Sequence, residues 1–511
     1  MSQLWKDSIL AKKIIKEKYF VHFIVILFVF LSVLGLKSFA LRDWDEGVFA
    51  LQGQWLTTIG SQGKPFNFQT PPLFQFLIAI LFSILQINAK ILPLLSLILS
   101  CITIYLIYHL AKTLFSQKEG IYSIILFVTT EYFLFFSRSG LSDATFLCFF
   151  IASLLFFVKG INSNKTKHFL LAGLFTALAL YTKYSAFPLL VMFFAIGLLC
   201  RKNINKKWFG LSILIPILLF LPYTYLFIRF VQISEISARH VSLLGINHLK
   251  FLFYILIFAP IPFLFSILYI IFNVRNIKKW DIYLLILSAI FILILGFYHP
   301  YFRLAYPLIP LLSIIASRFV NQTKKYKPYI VTAAILISLA LSAKTLIYKS
   351  DVPKKIGEFV NHYARQQDIK YIYTVVPPNI DFYIDGSIVV PSGHAWLNIG
   401  KKLPVFMKRK KIIYRDNNEL LTEEKILLIQ ATVLDSIEQI NSALCNRGIL
   451  LRSIEFIDAP VYYKDIYNPQ RDMKQIYNVY LFETKKLDKM INDFWNLGFD
   501  RRVTVIYREY E

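Results

Sequence analysis

Apolar runs long enough to cross a bilayer recur along this chain, and they constrain its fold more than any other feature. A helix needs ~18–20 apolar residues to pass a hydrocarbon core. Runs that approach or exceed that length start at residues 19–37 and continue to 329–347. Hydrophobic residues fill 56% of the 511 positions and charged residues 17%, more apolar than a soluble chain of this size would be. The sequence therefore reads as a polytopic α-helical membrane protein. Its 47 phenylalanines and 30 tyrosines suit lipid-facing packing and interfacial belts, so no aromatic ligand is needed to explain them.

The formal net charge of +25 is not the footprint of a nucleic-acid partner. Much of the excess lies in short loops between apolar runs, where Lys and Arg fix orientation. Lys6, Lys12, Lys13, Lys16 and Lys18 place the N-terminus in the cytoplasm. Basic loops at 112–118, 165–168, 201–207, 275–279 and 318–327 follow the same rule. The run Lys408-Arg409-Lys410-Lys411 reads first as a solvated face, with lipid headgroups as the lesser reading. Cys101, Cys148, Cys200 and Cys445 show no CxxC or His/Cys spacing, so neither a zinc site nor a disulfide framework is supported. The first apolar run has no convincing small-residue cleavage site after it and is expected to remain as a span.

Segment 72–87 is apolar but only 16 residues long, roughly 24 Å as a helix. Laid in the outer interface, it leaves every basic loop inside, and Pro71-Pro72 is suited to opening such a helix. Spans are then expected at 19–37, 91–111, 121–137, 142–159, 169–182, 184–200, 208–230, 249–272, 282–298, 302–318 and 329–347, about eleven in all. An odd number puts the C-terminus outside. The expected division is a transmembrane domain, 1–349, holding an outer loop with interfacial helices at 38–90, and an extracytoplasmic domain, 350–511. In the latter, strand-like runs at Tyr371–Val376, Ile426–Ile429, Leu450–Ile457 and Tyr477–Phe482 alternate with helix-like runs at Asp435–Leu444 and Lys486–Leu497. That alternation predicts a small soluble α/β domain with its own core.

Charge near the bilayer is concentrated in a few places, and ionisable groups there are functional candidates by default. Arg42-Asp43-Trp44-Asp45-Glu46 follows the first span. Asp45 and Glu46 would favour the positive end of a helix over 47–58. They could equally put a general base at the mouth of a cavity, since a partly desolvated carboxylate can take a proton. Ser137-Arg138-Ser139-Gly140-Leu141-Ser142-Asp143 precedes another span. Asp143 is good capping chemistry there, and Arg138 could hold a phosphate or pair with an acid. Lys183 interrupts an apolar hairpin, either snorkelling to the headgroups or binding phosphate. Arg303 and Tyr306 are three apart and share a helix face, in an anchor belt or a site. His299 has no partner at metal spacing. The expected topology brings Asp43, Asp45, Glu46, Arg138, Asp143, Lys183, His299 and Arg303 to one outer face, an arrangement suited to a lipid-phosphate substrate.

These motifs in order resemble the GT-C glycosyltransferases, in particular the branch of protein O-mannosyltransferases and lipid A aminoarabinose transferases. Asp45-Glu46 with Phe49 is similar to the family's Asp-Glu-x-x-Tyr/Phe after the first span. Thr70-Pro71-Pro72-Leu73 looks like its Lys-Pro-Pro-Leu, with threonine in place of the lysine. Arg138 to Asp143 looks like its second acidic loop, Ala179-Leu180-Tyr181-Thr182-Lys183-Tyr184 like its Leu-Thr-Lys segment, and residues 299–310 like its later Arg/Tyr-Pro motif. The resemblance covers about residues 20–320. It implies a GT-C-like fold with interfacial helices in the first outer loop. It also implies a polyprenyl-phosphate-linked sugar donor, a lipid, glycan or protein acceptor, and inversion at the anomeric carbon. In these terms Asp45, Glu46 and Asp143 are the catalytic candidates. Asp43, Arg138, Lys183, His299, Arg303 and Tyr306 are the substrate-binding ones. A divalent metal is left open by the resemblance. Two other readings compete: a transporter or flippase, which expects inverted repeats and broken helices at the midplane, and a non-catalytic envelope assembly protein. No repeat is visible, and the ionisable residues sit at span ends.

Overall fold

The computed structural model describes residues 19–33, 40–41, 44–57, 71–200, 204–233, 246–297, 302–343, 351–368, 371–375, 378–384, 387–390, 412–414, 426–432, 450–457 and 476–484. Two compact units emerge. One comprises 1–34, 69–74 and 93–347, and the other 35–68, 75–92 and 348–511. The stretch after the first span thus groups with the C-terminal third of the chain.

The first unit is helical. Its elements are α1 (Tyr19–Val33), α4 (Ile91–Leu114), α5 (Gln117–Val128), α6 (Glu131–Phe136), α7 (Asp143–Ser163), α8 (Thr166–Thr182), α9 (Pro188–Leu199), α10 (Lys206–Ile233), α11 (Ile246–Phe258), α12 (Pro260–Asn273), α13 (Lys279–Gly296), α14 (Leu308–Gln322) and α15 (Lys327–Leu341). Among the described residues four helices are long and apolar enough to cross a membrane alone: α4, α7, α10 and α13. Shorter apolar helices accompany them, and large side chains such as Phe23, Ile98, Phe194 and Leu218 stay exposed along their faces, as contact with lipid requires. The protein is a multi-pass membrane protein.

Two expected spans are interrupted near their middles. Segment 121–137 divides into α5 and α6 at Thr129-Thr130, where the Thr130 hydroxyl accepts the Phe133 N–H (3.3 Å) and starts a new helix. Segment 249–272 bends by 112° between α11 and α12. Ala259 leaves the helical region (φ −146°, ψ 53°) ahead of Pro260. Proline crowds the preceding residue out of the α conformation and has no N–H to continue the ladder.

Helices α7 and α8 form an antiparallel hairpin on which α10 packs. Small residues allow the close approach, as is common where lipid supplies no hydrophobic drive. The Ser153 and Thr176 hydroxyls bond across the α7–α8 seam at 2.6 Å. A Cβ on Gly173 would lie 3.1 Å from the Ile215 side chain and 3.2 Å from the Leu211 carbonyl, so this position sets the α8–α10 distance.

A buried ionic network ties α5, α12, α13 and α14 together. Arg318 reaches Glu119 (3.2 Å) and Asp281 (3.5 Å), and donates to the Tyr269 hydroxyl, which donates to Asp281 at 2.8 Å. Asn321 and Ser116 also donate to Glu119, and Lys327 donates to Asn321. Burial pushes the Glu119 carboxyl up, but the Ser116 and Asn321 hydrogen bonds and the Arg318 charge outweigh it, so it titrates below the usual 4.5. A depressed folded-state value gives stability that is fully present above about pH 4.5 and lost as pH falls through the folded value. Acidification below pH 4.5 is therefore expected to lower the melting temperature in detergent, and Glu119→Gln to remove part of that dependence. An identical acid decline in the variant would exclude Glu119 as its source.

The second unit holds α2 (Trp44–Leu56), α3 (Leu73–Leu85), α16 (Val352–Gln366), α17 (Pro378–Asp381) and six strands. The strands are β1 (Tyr371–Val375), β2 (Ser387–Val390), β3 (Ile412–Tyr414), β4 (Ile426–Thr432), β5 (Leu450–Ile457) and β6 (Ile476–Thr484). They form one sheet in the order β3-β2-β1-β4-β6-β5. The first four are parallel, in registers such as Tyr371 opposite Ile426, while β6 runs antiparallel to β4 and β5 antiparallel to β6. The sequence expectation lacked β2 and β3, and its helices at 435–444 and 486–497 lie outside the described residues, as do Lys408 to Lys411. The expected interfacial segment 72–87 is the helix α3. It crosses α2 closely: a Cβ on Gly53 would meet the Ile78 side chain at 2.5 Å, and Gln75 donates to Gln52 at 2.9 Å.

Candidate active site

Three residues remote in sequence meet in the first unit. Asp143 is the first residue of α7 and 1% exposed. Ser142 takes the cap position without a side-chain cap bond, so Asp143 does not cap the helix in the expected way. Its carboxylate is instead held by two cations. Lys183 approaches one oxygen at 2.6 Å. Arg303 donates to the other through Nε (3.1 Å) and Nη2 (2.9 Å).

Local structure delivers both cations. Lys183 ends α8 in an extended conformation (φ −158°, ψ 134°), which turns its side chain out of the helical path. A single-turn 3-10 helix, Phe302–Ala305, carries Arg303 and is pinned by the Tyr132 hydroxyl donating to the Phe302 carbonyl at 2.9 Å. Behind it, Tyr306 is buried and packs on Phe136 (4.6 Å between centroids) and Tyr132 (5.9 Å). The Tyr306 hydroxyl finds no hydrogen-bond partner among the described residues. Tyr306 therefore supports the Arg303 turn from the protein side and is closed to solvent. Arg138 is buried in the same 137–143 turn.

Two cations meet one carboxylate in a mostly buried setting, where Coulomb attraction is stronger than in water. Lys and Arg head groups placed side by side are suited to a phosphate oxygen. The cluster opens at Lys183, whose side chain is 20% exposed, against 7% for Arg303.

In the second unit Asp45 and Glu46 occupy the first turn of α2. Asp45 is partly exposed, whereas Glu46 is 3% exposed. Helix N-termini favour carboxylates, which explains the pair locally without excluding chemistry at Asp45. Asp43, Thr70 and His299 lie outside the described residues. Among the described residues no three His, Cys, Asp or Glu side chains lie close enough to share a metal ion.

Residue types along the chain do not reveal the Glu119–Arg318–Asp281 network, whose members lie far apart in sequence, nor the hydrogen bond of Tyr383 to the chain beside α2.

A family model described as dolichyl-phosphate-mannose-protein mannosyltransferase matches residues 69–226. No curated protein matches in sequence. Among solved structures, apo ArnT from Cupriavidus metallidurans is similar over 91% of this chain and 98% of its own, with TM-score 0.65 and 12% identity. The same protein bound to undecaprenyl phosphate gives TM-score 0.63, 12% identity and coverage of 90% and 97%. The apo oligosaccharyltransferase of Archaeoglobus fulgidus gives TM-score 0.53, 13% identity and coverage of 72% and 63%. The helices that carry Asp143, Lys183 and Arg303 thus belong to a chain with the fold of the GT-C membrane glycosyltransferases.

Proposed function

We propose that this chain is an integral membrane glycosyltransferase that moves a sugar from a polyprenyl-phosphate carrier to an envelope acceptor: a lipid, a glycan or a protein. One observation carries the reading. Lys183 and Arg303 converge on Asp143 in one mostly buried cluster, in a fold that in ArnT from Cupriavidus metallidurans is seen bound to undecaprenyl phosphate. A lipid phosphate suits two converging cations, and the apolar helix faces suit its prenyl tail.

In this reading an acceptor oxygen or nitrogen attacks the anomeric carbon while Asp45 takes its proton. The bond from that carbon to the phosphate oxygen breaks, and its electron pair leaves with the polyprenyl phosphate. Lys183 and Arg303 stabilise the charge that develops there, the usual route to large rate effects. Asp143 orients both cations, and Glu46 supports the α2 turn. A single displacement inverts the anomeric centre. About eleven crossings, a cytoplasmic N-terminus, and an extracytoplasmic α/β domain over 350–511 complete the proposal.

Purified protein with a panel of polyprenyl-phosphate sugars and envelope extract is expected to release free polyprenyl phosphate with one donor class. Arg303→Met should raise the donor KM by about tenfold or more, since a charged hydrogen bond contributes roughly 1.5–3 kcal/mol. Folded protein that releases no prenyl phosphate from any donor overturns the proposal.

A further inference from the structure

Tyr383 is far from α2 in sequence but touches its approach. The Leu41 backbone N–H donates to the Tyr383 hydroxyl at 2.9 Å. Leu41 is 2% exposed and stands three residues before α2 begins at Trp44. The chain that follows Leu41 leads directly to Asp45 and Glu46 in the first turn of α2, so this bond fixes the point from which that turn is launched.

Tyr383 is itself firmly seated. Its carbonyl accepts from Asn361 Nδ2 of α16 at 2.9 Å. A Cβ on Gly357 of α16 would lie 2.4 Å from the Tyr383 Cβ, so only glycine lets the two segments approach this closely. Neighbouring Phe382 stacks on Phe82 of α3, with centroids 6.4 Å apart. Just upstream, α17 packs against both α2 and α16. Burial, with the charges of Glu46 and Glu358, holds the phenol proton on despite the Leu41 contact. The hydroxyl accepts from Leu41 through a lone pair and keeps its own hydrogen.

We infer that Tyr383 is a positioning residue for the proposed transfer reaction: the segment after β1 clasps Leu41 and sets the Asp45–Glu46 turn in its working geometry. This rests on the proposed role of Asp45. The C-terminal third of the chain, in this view, acts on chemistry through α2. Small misplacements of reacting groups cost up to about a hundredfold in rate, so a lone hydrogen bond at this point has leverage.

The test compares full-length Tyr383→Phe and Phe382→Ala with the parent in detergent. Tyr383→Phe keeps the ring and removes the acceptor. Its Leu41 amide should exchange with solvent faster, its kcat should fall by about tenfold to a hundredfold, and its donor KM should not move. Phe382→Ala loses packing between the same elements without touching the hydrogen bond. It should melt earlier, with a kcat loss smaller than that of Tyr383→Phe. Unchanged Leu41 exchange in Tyr383→Phe overturns the clasp. Faster exchange with parental kcat overturns its role in positioning, as does a kcat loss in Phe382→Ala equal to that in Tyr383→Phe. Parent protein that transfers no sugar while Tyr383→Phe exchanges faster strikes the proposed function instead, because exchange reads the clasp without substrate.

Discussion

Asp45→Asn is expected to lower sugar transfer by about 10²–10⁴-fold, the range a positioned general base supplies, while the protein stays folded. The amide has nearly the shape of the carboxylate but cannot take the acceptor proton. Asp45 is only partly buried at the first turn of α2. The near-isosteric amide preserves the packing of this helix start, so the chain stays folded. Glu46→Gln is the useful comparison. Glu46 is 3% exposed, so its neutralisation should register more in melting temperature than in turnover. Prenyl phosphate release and thermal melting of both variants separate these outcomes. An Asp45→Asn enzyme working at the parental rate removes Asp45 from the mechanism.

Asp143→Ala should be among the most damaging single substitutions in the first unit. It removes the carboxylate that both Lys183 and Arg303 bind, and loss of one partner from a buried pair costs about 3–5 kcal/mol. Arg303→Met removes part of the same contact, so the two losses overlap. The double variant should therefore be more stable than the sum of the single losses predicts, by about 0.5–3 kcal/mol, the coupling typical of residues in one ionic network. Unfolding of the four proteins in detergent measures this. Strictly additive losses would show that the three residues are not one electrostatic unit.

Much of the first unit was legible because a membrane span is a compositional signal. Apolar length located α4, α7, α10 and α13 within a few residues. It did not reveal the breaks at Thr129-Thr130 or Ala259-Pro260, because hydropathy averages over a few residues that change backbone conformation. Pro260 and Pro262 were the available clue in the second case. Of the candidate residues, Asp143, Lys183 and Arg303 were singled out one by one as charges at span ends. Their mutual pairing was not readable, since Lys183 lies 40 residues from Asp143 and Arg303 lies 160 away. In sequence Lys183 reads as a snorkelling or phosphate-binding lysine; in the structure it pairs with Asp143. In the second unit the longer strands β4, β5 and β6 announced themselves by β-branched and aromatic runs. The four residues of β2 and three of β3 are too short to carry an alternation pattern. Tyr383 had no signal at all, because its importance lies in a backbone N–H of Leu41, and backbone donors leave no trace in residue identity.

That same bond joins positions 342 residues apart. Synthesis at about 5–20 residues per second leaves Leu41 waiting roughly 20–70 s before its partner exists. During that interval α2 and α3 leave the translocation machinery without the C-terminal elements they will pack against. Long-range closures of this kind are slow. Final maturation of the chain is thus a late event, and nascent chains stalled before residue 383 should be cut by protease within 40–57 while completed chains are protected.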